Sequence, residues 1–237
     1  MSIYRQEILL RSKDVDLNRR LRTSRLFELL QEASIRHTEE LGIGREMTLD
    51  RGLLWMIGMQ RAEIARMPEY DERIVLKSWP GKTMHVFFPR YYQIETESGE
   101  LLLRASMLWT LVGSESRKLI FPEQYGVEIN GVVTGEEITM PGAPARLPCT
   151  EEKLFRVPYS YVDLNGHMNN TRYFDLAEDC IPSSREGKAL RLIQTEYVSE
   201  ARLGDEMTVR WGKDGEKFFL IGETKKPVFR LRLEYEA

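Results

Sequence analysis

The sequence is short of the residues that build metal centres and disulfide frameworks. Of its 237 residues only two are cysteine, Cys149 and Cys180, and only three are histidine. Two cysteines make neither a disulfide framework nor a cysteine-based zinc site, so a reduced, cytoplasmic protein is expected. The spacings H-x3–5-H and C-x2-C are missing, as are a P-loop, a Rossmann glycine pattern and the elbow G-x-S-x-G, so neither a metal nor a cofactor is expected. No apolar run approaches the ~18 residues of a membrane span. The opening MSIYRQEILLRSKDVD contains acids and no long apolar stretch, and reads as neither a secretory signal nor a transit peptide. Charge of one sign is lacking too: 34 basic residues face 37 acidic ones. A net charge of −3 argues against a general nucleic-acid binder, which usually shows a basic excess. What is present suffices for a core. Hydrophobic residues make up 42% of the chain, which excludes disorder over most of it. The length fits one large domain or two small ones.

The chain contains itself twice, and a repeat fixes architecture. Residues 15–29 read VDLNRRLRTSRLFEL and residues 162–176 read VDLNGHMNNTRYFDL, identical at seven of fifteen positions without a gap. At a second offset, Gln60 matches Gln194, Asp71-Glu72 matches Asp205-Glu206, and Val75 matches Val209. Two copies of one fold are therefore expected, over residues 1–120 and 150–237. The stretch 121–149 between them holds Pro122, Pro141, Pro144 and Pro148 with several glycines, the composition of a connector.

Each copy reads as a strand, a helix and four further strands. Leu26, Leu29, Leu30, Ala33 and Leu41 fall near a helical period, predicting a helix over 23–41 with Thr23 or Ser24 as N-cap and Gly42 at its end. The second copy predicts a shorter helix over about 170–180, capped by Asn170 or Thr171 and stopped before Pro182. Glu97-Ser98-Gly99-Glu100 and Lys213-Asp214-Gly215-Glu216 are hairpin turns. A long helix against an antiparallel sheet is an α+β layer arrangement. Joining the two sheets edge to edge would protect their edge strands.

Chemistry concentrates in one segment. His37 falls on the apolar face of the first helix and reads as a packed histidine; His85 reads as a loop residue. His167 lies in Asp163-Leu164-Asn165-Gly166-His167, just before the second helix. Gly166 permits a tight turn or a close substrate approach. A helix start offers free N–H groups to a developing oxyanion. The first copy keeps Asp16 and Asn18 but has Arg19-Arg20 in place of Gly-His. The shared Asp and Asn therefore read as partly structural, and His167 as particular to the second copy. Glu200 is a second asymmetry, because its counterpart is Arg66. It is either a carboxylate that meets the His167 loop or an ordinary solvated strand charge. Cys149 and Cys180 have no place beside His167, which disfavours a cysteine nucleophile.

VDLNGHMNNTRYFDLAED resembles the active-site segment of hotdog-fold thioesterases, and more narrowly that of the acyl-acyl carrier protein thioesterases of bacteria and plant plastids. The resemblance runs through RSKDVDLNRRLRTSRLFELLQEAS, MQRAEIARMPEYDERIVLKSWP, FFPRYYQI and EYVSEARLGDEM in the same order. It implies a tandem (double) hotdog. It places the catalytic positions at Asp163, Asn165, His167 and Glu200. Plant members carry a cysteine next, where this chain has Ala201, so that cysteine is not essential if the family mechanism holds. Plant members also have a targeting extension that this sequence lacks, which suits a bacterial cytosol.

The reaction implied is hydrolysis of an acyl-phosphopantetheine thioester on acyl carrier protein. In one route His167 and Glu200 hold and deprotonate water while Asp163 and Asn165 fix the imidazole or substrate. In the other Asp163 attacks and a transient anhydride is hydrolysed. The first copy would be catalytically silent and, by the resemblance, would hold the acyl chain, with Leu53, Trp55, Met56, Ile57, Met59 and Trp109 as candidate walls. Lys213, Lys217, Lys225 and Lys226 are candidates to meet an acidic carrier. The rival readings are an acyl-CoA thioesterase on the same fold, a hotdog hydratase or dehydratase, and a non-catalytic acyl-thioester binding protein. A monomer already supplies both halves; a homodimer is the other expectation.

Overall fold

A computed structural model describes residues 2–182 and 186–237. The Ser183-Ser184-Arg185 segment, just past the predicted helix stop at Pro182, lies outside the described residues. In chain order the main elements are β1 (Tyr4–Leu9), α1 (Thr23–Glu40), β2 (Leu53–Ile64), β3 (Arg73–Pro80), β4 (Phe87–Thr96) and β5 (Leu101–Gly113). Then come β6 (Glu151–Arg156), α2 (Arg172–Cys180), β7 (Leu190–Tyr197), β8 (Glu206–Asp214), β9 (Lys217–Glu223) and β10 (Pro227–Tyr235).

The strands form one ten-stranded sheet ordered β1-β3-β4-β5-β2-β7-β10-β9-β8-β6. Read outward from its centre, each half has the same order, as a repeat requires. The seam is the antiparallel pair β2–β7, where Gln60 faces Thr195 and Arg61 faces Gln194. The repeat-equivalent glutamines Gln60 and Gln194 thus sit diagonally across a pseudo-twofold axis. Pairing at this seam removes one edge from each half, the edge protection expected from sequence.

Both helices lie on one face of the sheet, and they meet on the same axis. Phe27 of α1 and Phe174 of α2, one residue seen in both repeats, stack with centroids 4.3 Å apart and planes 11° from parallel. Such a buried ring pair contributes roughly 0.5–1.5 kcal/mol beyond the area it removes from water. Around it Arg25 pairs with Glu28 and Arg172 with Asp175, again repeat equivalents, while Arg172 also reaches Glu28.

The helix ends differ from expectation. Neither Thr23 nor Ser24 caps α1: its N-cap is Arg22, without a side-chain cap bond. Arg22 instead donates its N–H to the Asp14 carbonyl, so the preceding turn does the work. Gly42 does end the helix, with φ of 72° and an N–H bonded to the Glu39 carbonyl. The 121–149 stretch is a packed crossing more than a free loop. Val127 and Ile129 are buried, Ile129 and Thr83 exchange bonds, and Ser106 on the helix-free face donates to the Thr139 carbonyl.

Two titrating groups of opposite sense are built into the helices. His37 is wholly buried on α1; burial first, then the charge of Arg90, lowers it to about 4. Glu178 on α2 accepts from Thr23 on α1 at 2.5 Å. Burial first, then the charges of Asp175 and Asp16, push it up to about 7. The unfolded chain protonates His37 near 6.5, so its contribution to stability is present above that pH and is lost as the pH falls toward 4. Glu178 contributes fully below about 4.5 and loses its contribution as the pH rises through 7. Each is worth about 3 kcal/mol. The two therefore nearly cancel between pH 4 and 7. Urea denaturation across this range is expected to give a shallow stability profile for the wild type. His37→Gln should expose a profile falling with pH, and Glu178→Gln one rising with pH.

Candidate active site

The turn that holds His167 is set by its own first residue. The Asp163 carboxylate accepts the Asn165 N–H at 2.8 Å, and the Asp163 N–H donates to the His167 carbonyl at 2.9 Å. The first repeat builds the same turn with Asp16, Asn18 and Arg20. Gly166 takes φ of 78°, and its counterpart Arg19 takes 65°. The left-handed position thus belongs to the turn in both repeats. The shared Asp and Asn have the structural task expected of them, and the chemistry hangs on what the turn displays.

It displays His167, which is buried. His167 Nε2 lies 2.9 Å from Glu200 Oε2, and Glu200 Oε1 lies 3.3 Å from Arg117 Nη1. Glu200 comes from the segment after β7 that pairs back onto the turn: Met168 donates its N–H to the Ala201 carbonyl. A carboxylate held between a guanidinium and an imidazole fixes the ring: it accepts from Nε2 and leaves Nδ1 as the acceptor nitrogen of the neutral ring. Asp163, Asn165, His167, Asn170, Glu200 and Arg117 all line one cavity of about 150 Å³, together with Tyr173 and Tyr197. Of the four sequence candidates, His167 and Glu200 touch; Asp163 and Asn165 stand at the same cavity wall and bond to each other.

Helix α2 starts behind one of its two expected N-caps, Thr171. Its N-cap Thr171 makes no side-chain cap bond; Asn169 Oδ1 instead accepts both the Thr171 N–H at 2.9 Å and its hydroxyl at 2.8 Å. The Asn169 N–H is spent on the Tyr161 carbonyl. The Asn170 N–H has no partner among the described residues, and Asn170 lines the cavity, so it is the backbone donor left for an oxyanion. Tyr197 steadies it. Its hydroxyl donates to the Asn170 carbonyl at 2.7 Å and accepts from Gln60 at 2.9 Å.

Arg117, Tyr197 and Gln60 were not singled out for the site by sequence. Gln60 and Tyr197 stood in matched blocks, with nothing to show that they would meet. Arg117 gave no signal at all: it belongs to the other repeat, in the turn after β5, with φ of 54°.

A second cavity of about 250 Å³ opens beside the first and shares Leu54, Trp55 and Asn165 with it. Most of its wall comes from the first half of the chain, with Leu164 and Asn165 added from the second. Leu53, Trp55 and Trp109 line it, whereas Met56 and Ile57 line the smaller cavity and Met59 lines neither. At the place in the first repeat that corresponds to the His167 site, Arg20 donates to the Gly187 carbonyl at 2.6 Å and Arg66 is bound by Glu72. Among the described residues no cluster of His, Cys, Asp and Glu is arranged to hold a metal ion, and no helix is long and apolar enough to cross a membrane.

The sequence matches the family model of the acyl-ACP thioesterase N-terminal domain over residues 1–124 and that of the C-terminal domain over residues 146–223. The chain belongs to the acyl-ACP thioesterase family. Among its relatives is the chloroplastic acyl-[acyl-carrier-protein] hydrolase FATB2 of Cuphea viscosissima, 24% identical over 84% of this chain and 52% of the relative. The chain therefore spans about half the length of the curated relatives it matches. Its fold is that of the acyl-ACP thioesterase of Bacteroides thetaiotaomicron, with a TM-score of 0.85 at 21% identity, covering 99% of this chain and 98% of that one. The 12:0-ACP thioesterase of Umbellularia californica aligns with a TM-score of 0.83 at 20% identity, over 99% and 97%. The architecture is accordingly the tandem hotdog expected from sequence.

The family turn sets a measurable cost. An added Cβ at Gly166 meets nothing within 4 Å, so only the backbone conformation opposes it. Gly166→Ala is expected to lose about 1 kcal/mol in urea denaturation while leaving the near-ultraviolet circular dichroism unchanged.

Proposed function

We propose that this chain hydrolyses acyl thioesters of acyl carrier protein, releasing a free fatty acid and the carrier thiol and so ending chain growth. The observation that carries this reading is the Arg117–Glu200–His167 chain, standing in a cavity that shares a wall with an apolar one. The reaction needs a base for water, a donor for the carbonyl oxygen and a place for the chain. His167 Nδ1 takes the proton of a water that attacks the thioester carbon, while the Asn170 N–H bonds the developing oxyanion. Collapse breaks the C–S bond, and the imidazolium returns its proton to the departing sulfur. Such a base contributes about 10²–10⁴ in rate. Glu200 and Arg117 act through His167 as positioning residues. The first repeat is silent in this reading, because arginines stand where the histidine and glutamate would be, and its cavity holds the acyl chain.

The four candidate lysines fall into two places. Lys213 and Lys217 flank the β8–β9 turn. Lys225 and Lys226 sit at the other end of β9, where with Arg156 and Arg202 they line an open cleft that also contains Glu200, Asp205 and Glu206. Its two lysines and two arginines offer an acidic carrier a place to dock beside Glu200 and would raise its encounter rate.

Thiol release from matched acyl chains of about eight to eighteen carbons, on carrier protein and on coenzyme A, tests the reading. Faster release from the carrier series is expected. Faster release from coenzyme A favours the acyl-CoA thioesterase, and release from neither overturns the hydrolase. Within the active series, His167→Ala is expected to lose at least 10²-fold in kcat. Asp163→Asn, which still presents an oxygen to the Asn165 N–H, should stay within about tenfold of the wild type. If Asp163→Asn is as inactive as His167→Ala, and acid quenching traps an acylated wild-type enzyme by mass, Asp163 is the nucleophile. Lys225→Glu with Lys226→Glu should raise KM for the carrier substrate several-fold and leave kcat and the coenzyme A substrate unmoved.

A further inference from the structure

The larger cavity is not uniformly oily. Its wall carries Arg90, on the helix-facing side of β4 between Phe88 and Tyr92, and only 5% exposed. An arginine at this depth normally has a carboxylate partner, because burying an unpaired charge is costly. Among the described residues Arg90 has none. Its hydrogen bonds go to neutral acceptors: His37 Nδ1 at 3.0 Å, Ser78 Oγ at 3.2 Å and Thr38 Oγ1 at 3.2 Å. These occupy three of the guanidinium's five N–H groups.

The other polar groups of the wall do not supply the missing acceptor. Ser34, Thr38 and Thr48 each donate their hydroxyl proton to a carbonyl of their own segment, at 2.8, 2.6 and 2.8 Å. Trp55, which lines both cavities, and Trp109 each have a buried Nε1 with no partner. Glu39 and Arg45 belong to the same wall, but at its exposed rim, where the Glu39 carboxylate accepts the Arg45 N–H. The wall therefore offers a cation and two orphan donors, and asks for an acceptor. A plain hydrocarbon chain would leave all three unsatisfied.

We propose that Arg90 makes this cavity selective for acyl chains that carry an oxygen acceptor at the end distal to the thioester, a carboxylate being the best match to a guanidinium. This rests on the thioesterase reading for the placing of the thioester, and on Arg90 alone for the distal group. A carboxylate would take the open N–H groups of Arg90 in charge-assisted bonds and neutralise the buried charge. A distal hydroxyl would satisfy the donors and leave the charge unpaired.

The test compares coenzyme A thioesters of equal length whose acyl chains end in methyl, hydroxyl or carboxylate, with the wild type, Arg90→Gln and Arg90→Met. The wild type is expected to favour the carboxylate-ended chain over the methyl-ended one by tenfold or more in kcat/KM. Arg90→Met should abolish that preference, a change of roughly ten- to a hundredfold, while hydrolysing the methyl-ended chain at least as well. A wild type that prefers the methyl-ended chain at every length overturns the proposal, whatever the variants do. Should none of these coenzyme A thioesters be hydrolysed, the same acyl chains on carrier protein decide on the thioesterase reading, and thermal melts decide separately on Arg90. Long-chain dicarboxylates should raise the wild-type Tm more than monocarboxylates of equal length, and Arg90→Gln should erase the difference. Equal shifts by the two acids overturn the proposal.

Discussion

Everything in this molecule hangs on the antiparallel pairing of β2 with β7. Had each repeat folded alone, it would have exposed a sheet edge and half of a helix interface. Joined at this seam, the two sheets become one, and Phe27 meets Phe174 over the axis. The same seam assembles the site. It sets the turn of the second repeat against Leu54, Trp55, Arg117 and Gln60 of the first, so that neither half contains the cavity by itself. The stability of the seam and the geometry of the site are one constraint.

The two repeats also form an internal comparison. Both keep the Asp-x-Asn turn, with the same carboxylate-to-amide bond and the same left-handed residue. That device is maintained where no histidine follows it, so it is a way of making a turn. What differs is its cargo. In the second repeat His167 meets Glu200 across the turn. In the first, Arg20 caps backbone carbonyls and Arg66 is tied to Glu72. With two cations in place of a histidine and a glutamate, the corresponding cleft is bound up in its own hydrogen bonds.

Most of the fold was legible in the sequence because a repeat can be read without knowing any contact. The strand–helix–four-strand order came through in both halves. His167 was legible because it broke the repeat at a place where the surrounding block held; Glu200 broke it too, but the repeat left its role open and the family resemblance pointed to it. Three things were not. The first is the capping bonds: both helices start where expected, but no Thr or Ser side chain caps them, because Asn169 and the turn before Arg22 satisfy groups that local preference gives to Thr and Ser. Arg117 was invisible: its role depends on a turn in one repeat reaching a strand end in the other, about eighty positions away along the chain. The connector was legible as a connector, and its packing was not, because Val127 and Ile129 are too sparse to make a period.

Four arginines show how the chain answers a cation. Arg66 takes a carboxylate with two bonds, Arg117 shares one with a histidine, and Arg20 uses main-chain oxygens. In each case charge or strong dipole answers charge. Arg90 alone is answered by an imidazole and two hydroxyls, in the deepest of the four positions. The imidazole itself has paid for this, since the charge of Arg90 is among the causes that keep His37 neutral. A merely structural cation could have been replaced by a leucine or methionine at lower cost, since neutral packing of equal volume is often as stable as a buried charge. Under the proposed reading, its place on the wall of the cavity next to the His167 site makes the counter-charge a property of what enters, and turns a packing problem into one of recognition.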